Sequence, residues 1–306
     1  MKLTCTSDTT NFGSWWYNST TNRLQYSYFG NAWSTGGALI TARTSLAGAG
    51  TQNEGLAFGG ESTPTLLSCT EEYNGTSWTA GGALITARKG LAGAGTQNLG
   101  LAIGGACGGR FGATALSCTE EYDGSTWTAG GALSTARFSL AGAGTQNVGL
   151  AFGGYGKYAV SCTEEYNGAS WSTGGALINA RCSLAGAGTQ NAGLAFGGYQ
   201  PTGSCTEKYD GTSWTAGGAL INARCSLAGA GTQNAGLAFG GFSPAGVLSC
   251  TEEYNGTSWS AGGALINARD GLGGAGTQNA GLAFGGNNPS VSCTEEYSSG
   301  NQTCTL

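Results

Sequence analysis

Apolar and polar positions in this chain group into short runs, each closed by turn-forming residues. After Trp33 four such runs follow one another, SLAGAGT, GLAFGG, SCTEEY and SWTAG. Thr-Gln-Asn separates the first two, and Asn74-Gly75 separates the last two. Short runs bounded in this way read as strands, and an Asn-Gly or Asp-Gly corner reads as a tight hairpin because both residues tolerate positive φ. The corner returns at Asp123, Asn167, Asp210 and Asn255. The remaining stretch, Gly-Ala-Leu-Ile-Thr-Ala-Arg, is too short for a stable helix and reads as a loop with an apolar anchor.

This group of runs repeats. Tryptophan recurs at Trp33, Trp78, Trp127, Trp171, Trp214 and Trp259, with spacings of 45, 49, 44, 43 and 45. Arginine stands ten positions after each, at Arg43, Arg88, Arg137, Arg181, Arg224 and Arg269, and a Gly-Gly pair begins sixteen positions later, from Gly59 to Gly285. Length varies only between Gly-Gly and the next Ser-Cys, where the pieces are ESTPTLL, ACGGRFGATAL, YGKYAV, YQPTG, FSPAGVL and NNPSV. One loop per unit is free to change.

Side-chain size rises across each unit. The first run holds mostly Gly, Ala and Ser, the second adds Phe at positions such as Phe58, the third carries Glu71 and Tyr73, and the fourth carries Trp78. Sheets arranged radially approach most closely at the axis and diverge outward, so dense packing requires larger groups at the rim. The expected fold is therefore all-β, a single closed β-propeller of four-stranded blades over residues 1–306. A linear solenoid has shorter coils, and a sandwich does not require near-identical units. Residues 37–306 hold six units, and residues 1–36 read as a divergent N-terminal blade with LTCTS, GSWWYN, LQYSY and AWST as strands. Seven blades is the favoured count, because leaving Trp15, Trp16 and Tyr17 uncovered is costly. Six is the alternative, with the Trp33 strand closing the last unit.

The Arg, the Phe-Gly-Gly, the Glu-x-Tyr-Asn/Asp-Gly and the Trp together resemble kelch repeats, from about Leu24 to Tyr297. The resemblance implies that Gly-Gly ends the second strand of each blade and that the Tyr and Trp pack between blades. It also implies that the loop from strand two to strand three lies on the face where many such propellers bind partners. Units this uniform are similar to those of bacteriophage structural and tail proteins, which implies a virion or extracellular surface assembly, with a cytoplasmic adaptor as the alternative. The chain lacks the histidine ligands of the copper oxidases built on a similar propeller.

Composition narrows the chemistry. The sequence has no histidine, which removes imidazole bases and His-ligated metals, and its net charge of -5 offers nothing to a nucleic-acid backbone or an anionic membrane. Its start lacks the apolar stretch of a signal peptide, and no run is long enough to span a membrane. Glu71, Glu120, Glu164, Glu207, Glu252 and Glu295 share a repeat register with the arginines and read as structural partners for them rather than as catalytic groups. The neighbouring Glu72, Glu121, Glu165, Lys208, Glu253 and Glu296 point to the other face, where the single Lys suggests less restriction. Six cysteines, Cys69 to Cys293, occur once per unit and read as small buried thiols, not as a zinc cluster. Cys182 and Cys225 read as substitutions at one inter-blade position, and Cys5 with Cys304 is a possible end-to-end disulfide. The Gln-Asn corners from Gln52-Asn53 to Gln278-Asn279 read as self-satisfying turns, with a polar ligand ring as the sharper alternative.

The variable loops carry the contrast. Arg110, Phe111, Tyr155, Lys157, Tyr158, Tyr199, Gln200, Phe242, Asn287 and Asn288 are the candidate contacts to a protein partner or a glycan. The expected function is a non-catalytic structural or recognition module that uses neither cofactor nor metal. An intracellular adaptor is the runner-up and a carbohydrate-active enzyme comes third.

Overall fold

The computed structural model describes residues 14–20, 23–108, 113–199, 201, 203–287 and 290–305, with the backbone alone for strand residues 14–18, 24–29 and 301–305. It is an all-β propeller of six blades. Blade 1 is an antiparallel sheet of Ala47–Gly50, Gly55–Phe58, Thr70–Tyr73 and Trp78–Gly81, ordered from the axis outward. Blades 2 to 5 repeat this arrangement, with outer strands beginning at Trp127, Trp171, Trp214 and Trp259.

The seven-blade expectation is wrong, and the reason is a long-range pairing. Arg23–Gly36 pairs with Thr294–Thr305, and Trp33 stands opposite Tyr297 as Trp78 stands opposite Tyr73. The Trp33 strand is therefore the outer strand of blade 6, inside which Gly273–Gly276 and Ala280–Phe284 complete the sheet. Ser14–Asn18 adds a fifth strand to that sheet, so residues 14–36 extend blade 6 and form no blade of their own. Cys5 and the side chain of Cys304 lie outside the described residues.

The inner strands explain the Ala-Gly alternation. A Cβ on Gly93 would meet the carbonyl oxygen of Gly48 at 2.4 Å, and Gly142, Gly186, Gly229 and Gly274 face the previous blade's glycine oxygen in the same way at 2.7–3.0 Å. A Cβ on Gly48 would likewise meet the carbonyl oxygen of Gly274, on blade 6, at 2.6 Å. Just before each inner strand, Ser45, Gly90, Ser139, Ser183, Ser226 and Gly271 adopt φ between 51° and 60°. Their backbones are linked: each N–H donates to the carbonyl of the equivalent residue one blade back, at 2.6–2.8 Å, and Ser45 donates to Gly271. A left-handed conformation strains serine, and the recurring hydrogen bond offsets that strain.

Every seam between blades uses the same side chains. Each repeated Trp Nε1 donates to a Thr Oγ1 of the previous blade at 2.9–3.0 Å. Each Gln Nε2 donates to a Gly carbonyl and a Tyr carbonyl one blade back, for example Gln97 to Gly55 and Tyr73. The glutamine thus serves the neighbouring backbone, not its own turn. Tyr73, Tyr122, Tyr166, Tyr209 and Tyr297 donate to Glu296, Glu72, Glu121, Glu165 and Glu253 at 2.6 Å. These carboxylates are fixed by their neighbours, contrary to the looser role expected for them. The linkers are loops anchored by buried leucines, Leu39 and Leu84 among them.

Candidate functional site

Both Glu and Arg of each repeated pair are buried, and the pair closes its own blade. Arg43 Nη2 lies 2.8 Å from Glu71 Oε1, and the five equivalent pairs lie at 3.0–3.2 Å. Glu71 also accepts the backbone N–H groups of Ile40 and Thr41, so one carboxylate ties the linker and the guanidinium to the third strand. Burial lowers the Arg43, Arg137 and Arg181 pKa values, while the Glu and Cys beside them oppose the shift. In blade 1 the Arg43 Nη1 also reaches Cys69 Sγ at 2.9 Å. The six repeat cysteines are half-buried free thiols, less enclosed than their sequence position suggests. Among the described residues no group of three or more Cys, Asp or Glu could hold a metal ion.

These groups are occupied in holding the blades, so distinguishing chemistry has to come from positions that differ between units. The structure gathers most of them at one end. Each linker enters at the end where the second strand finishes, and the residue after the repeated Arg pairs with the first residue of the variable loop. These pairs are Thr44 with Glu61, Lys89 with Ala106, Phe138 with Tyr155, Cys225 with Phe242 and Asp270 with Asn287. In blade 4 the N–H of Tyr199 donates to the carbonyl of Cys182. The position after Arg thus belongs to the loop face, where Cys182 and Cys225, half-buried and close to one another on adjacent blades, are part of a variable series.

The face has two halves. Blades 6, 1 and 2 contribute Asp270, Thr44 and Lys89, and Lys89 Nζ lies 2.6 Å from Glu61 Oε2. Blades 3, 4 and 5 contribute aromatics. The ring of Tyr155 stands 5.4 Å from that of Phe138, and Lys157 Nζ sits 5.5 Å from the centre of the Tyr158 ring. Tyr158 and Tyr199 are 69% and 63% exposed, a large apolar area to leave in water. Isoleucines of the linkers, such as Ile178 and Ile221, are exposed as well.

Between blades 4 and 5 the aromatics form a cleft of about 130 Å³, with Tyr199, Phe242 and Pro244 among its walls and Cys225 and Gly198 in its lining. Ser243 Oγ donates to the carbonyl of Gly246 and Arg224 Nη2 is paired with Glu252, while Arg224 Nε has no hydrogen-bond partner. Burial pushes the Cys225 thiol pKa up, the Ser226 hydroxyl opposes this, and the charge of Asp270 adds to the rise. A wider hollow of about 670 Å³ by blade 6 is lined by Ile266–Arg269 and Ser290–Cys293, largely residue types that recur in other units.

Of the candidate contacts, Tyr199 and Phe242 therefore meet in one cleft, Tyr155, Lys157 and Tyr158 cluster on blade 3, and Asn287 pairs with Asp270. Arg110, Phe111, Gln200 and Asn288 lie outside the described residues. Phe138, Cys225 and Asp270 were missed as members of the site. Their signal was present in the sequence: the position after the repeated Arg holds Thr, Lys, Phe, Cys, Cys and Asp in turn.

No protein-family model and no curated protein matches this chain.

Proposed function

We propose that the chain is a non-catalytic propeller of kelch-like blades, closed into a six-bladed ring, that recognises a protein through its variable-loop face. The observation that carries this reading is the cleft. Units otherwise nearly identical differ mainly on this face, and there the differences place Tyr199, Phe242 and Pro244 around a hollow the size of one side chain. Aromatic walls around a desolvated pocket suit the anchor residues that dominate protein interfaces. A glycan needs several hydrogen-bonding side chains beside its stacking platform, and in the cleft the Ser243 hydroxyl and the Arg224 Nη2 are already engaged. Support for closure comes from the axial hydrogen bonds, which run through all six blades and join Ser45 to Gly271. The uniform units fit a building block of a particle or surface assembly, such as a virion tail, more closely than a cytoplasmic adaptor.

The test is to change Tyr155, Tyr158, Tyr199 and Phe242 together to Ser. The wild-type chain is expected to enrich a subset of displayed random peptides, and the variant to keep its melting temperature while enriching none of them. Unchanged selection by the variant, or binding on a glycan array in place of peptides, would overturn the assignment.

A further inference from the structure

Asp270 follows the buried Arg269 and lies one blade beyond the cleft. Its backbone exchanges hydrogen bonds with Asn287, the N–H of Asn287 donating to the Asp270 carbonyl at 2.7 Å. Cys225, in the lining of the cleft, holds the same position on blade 5, and the residues that follow the two are joined by the bond from Gly271 N–H to the Ser226 carbonyl at 2.8 Å. Asp270 is therefore the charged group at the blade 6 side of the cleft.

Its carboxylate differs from the others. Glu71 and its equivalents hold arginine, Glu72 and most of its equivalents accept a tyrosine hydroxyl, Glu61 pairs with Lys89, and Asp123 and Asp210 accept the N–H groups of their turns. Asp270 is half-buried, and among the described residues no other side chain donates to it and no cation pairs with it. Burial raises its pKa, and its own backbone N–H only partly opposes the rise. Lys157, the face's cation on blade 3, sits over Tyr158. An incoming positive group at Asp270 would restore the lost interaction, while the same position repels an acidic one.

Building on the proposed protein-binding face, we infer that its occupant is a peptide segment with an apolar side chain in the Tyr199–Phe242 cleft and an adjacent cationic group, lysine, arginine or a free α-amine, paired with Asp270. The cleft supplies contact area, and the carboxylate sets direction and excludes acidic neighbours.

Selection from displayed random peptides tests this with the full chain. Wild type is expected to enrich peptides combining an aliphatic or aromatic residue with a nearby basic one. A selected peptide should bind Asp270→Asn about three- to tenfold more weakly, and wild type should lose affinity with added potassium chloride. Asp270→Lys should enrich acidic residues in place of basic ones. Free and acetylated forms of one peptide separate an α-amine from a side-chain cation. If peptides lose binding to Tyr199→Ser/Phe242→Ser yet bind Asp270→Asn as tightly as wild type, the charge pairing is wrong and the binding face stands. If wild type selects nothing, both fail. The salt dependence requires no variant, so the pairing can be judged even if a substitution disturbs folding.

Discussion

Tyr254 is fully buried, yet its hydroxyl finds no partner, and the cause is one residue on the previous blade. At the other five seams the equivalent tyrosine donates to a glutamate, but here Lys208 takes that position and turns its Nζ to the carbonyl of Gly256. Burying a polar group without its hydrogen bond is expensive. Lys208→Glu should therefore stabilise the protein by about 1–2 kcal/mol in urea denaturation, and an unchanged or lower midpoint would contradict this account. The same contact predicts alkaline behaviour. Burial first, and then the bond to glutamate, pushes the pKa of Tyr73, Tyr122, Tyr166 and Tyr209 up to about 12, from a usual value of 10.0. In the unfolded chain these hydroxyls ionise first, so their contribution to stability is complete below pH 10 and declines as pH rises towards 12. Unfolding midpoints measured across that interval should fall, and a flat profile would count against the buried tyrosine–glutamate bond.

At the scale of the strand, size and space decide which substitutions the propeller tolerates. Trp127 is buried against Phe58 with ring centres 5.0 Å apart, whereas Trp171 faces Ile103 in place of a Phe and is less completely covered. Trp127→Ala is expected to lower stability by about 3–5 kcal/mol and Trp171→Ala by less, as urea midpoints would show; equal losses would undercut the packing explanation. On the inner strands, Gly93→Ala should destabilise by about 1–3 kcal/mol because its methyl would press on the backbone of blade 1. Gly156→Ala in the blade 3 loop, where that methyl meets only the Ala136 carbonyl oxygen, at 3.3 Å, should cost less than Gly93→Ala. Strands and linkers were legible from the chain because each depends on local spacing. The use of Glu72 was not, because a repeated position reveals that a side chain matters without revealing the neighbour it reaches. The cleft was half legible: Tyr199 and Phe242 stood out as loop aromatics, but their meeting depends on the angle between two blades.

At the scale of the molecule, the blade count turned on one pairing that no local pattern encodes. The Trp33 strand had the right composition for a separate blade, and only its register against Thr294–Thr305 assigns it to blade 6. Class averages of single particles should accordingly show six lobes. Deleting residues 1–36 removes Trp33 and its hydrogen bond to Thr251, and exposes the edge of the Thr294 strand. The shortened chain is expected to aggregate or melt well below the full-length protein, and equal stability would show that this strand is not needed to complete the fold. The head-to-tail seams have a further consequence. Each blade meets the one before it through the same Trp, Gln and axial backbone groups, so most units are interchangeable parts of the scaffold, with Lys208 and Ile103 as local exceptions. Exchanging two units would leave the framework standing but re-deal the order of side chains around its rim. Recombination among near-identical units thus offers this architecture new binding surfaces without requiring a new fold.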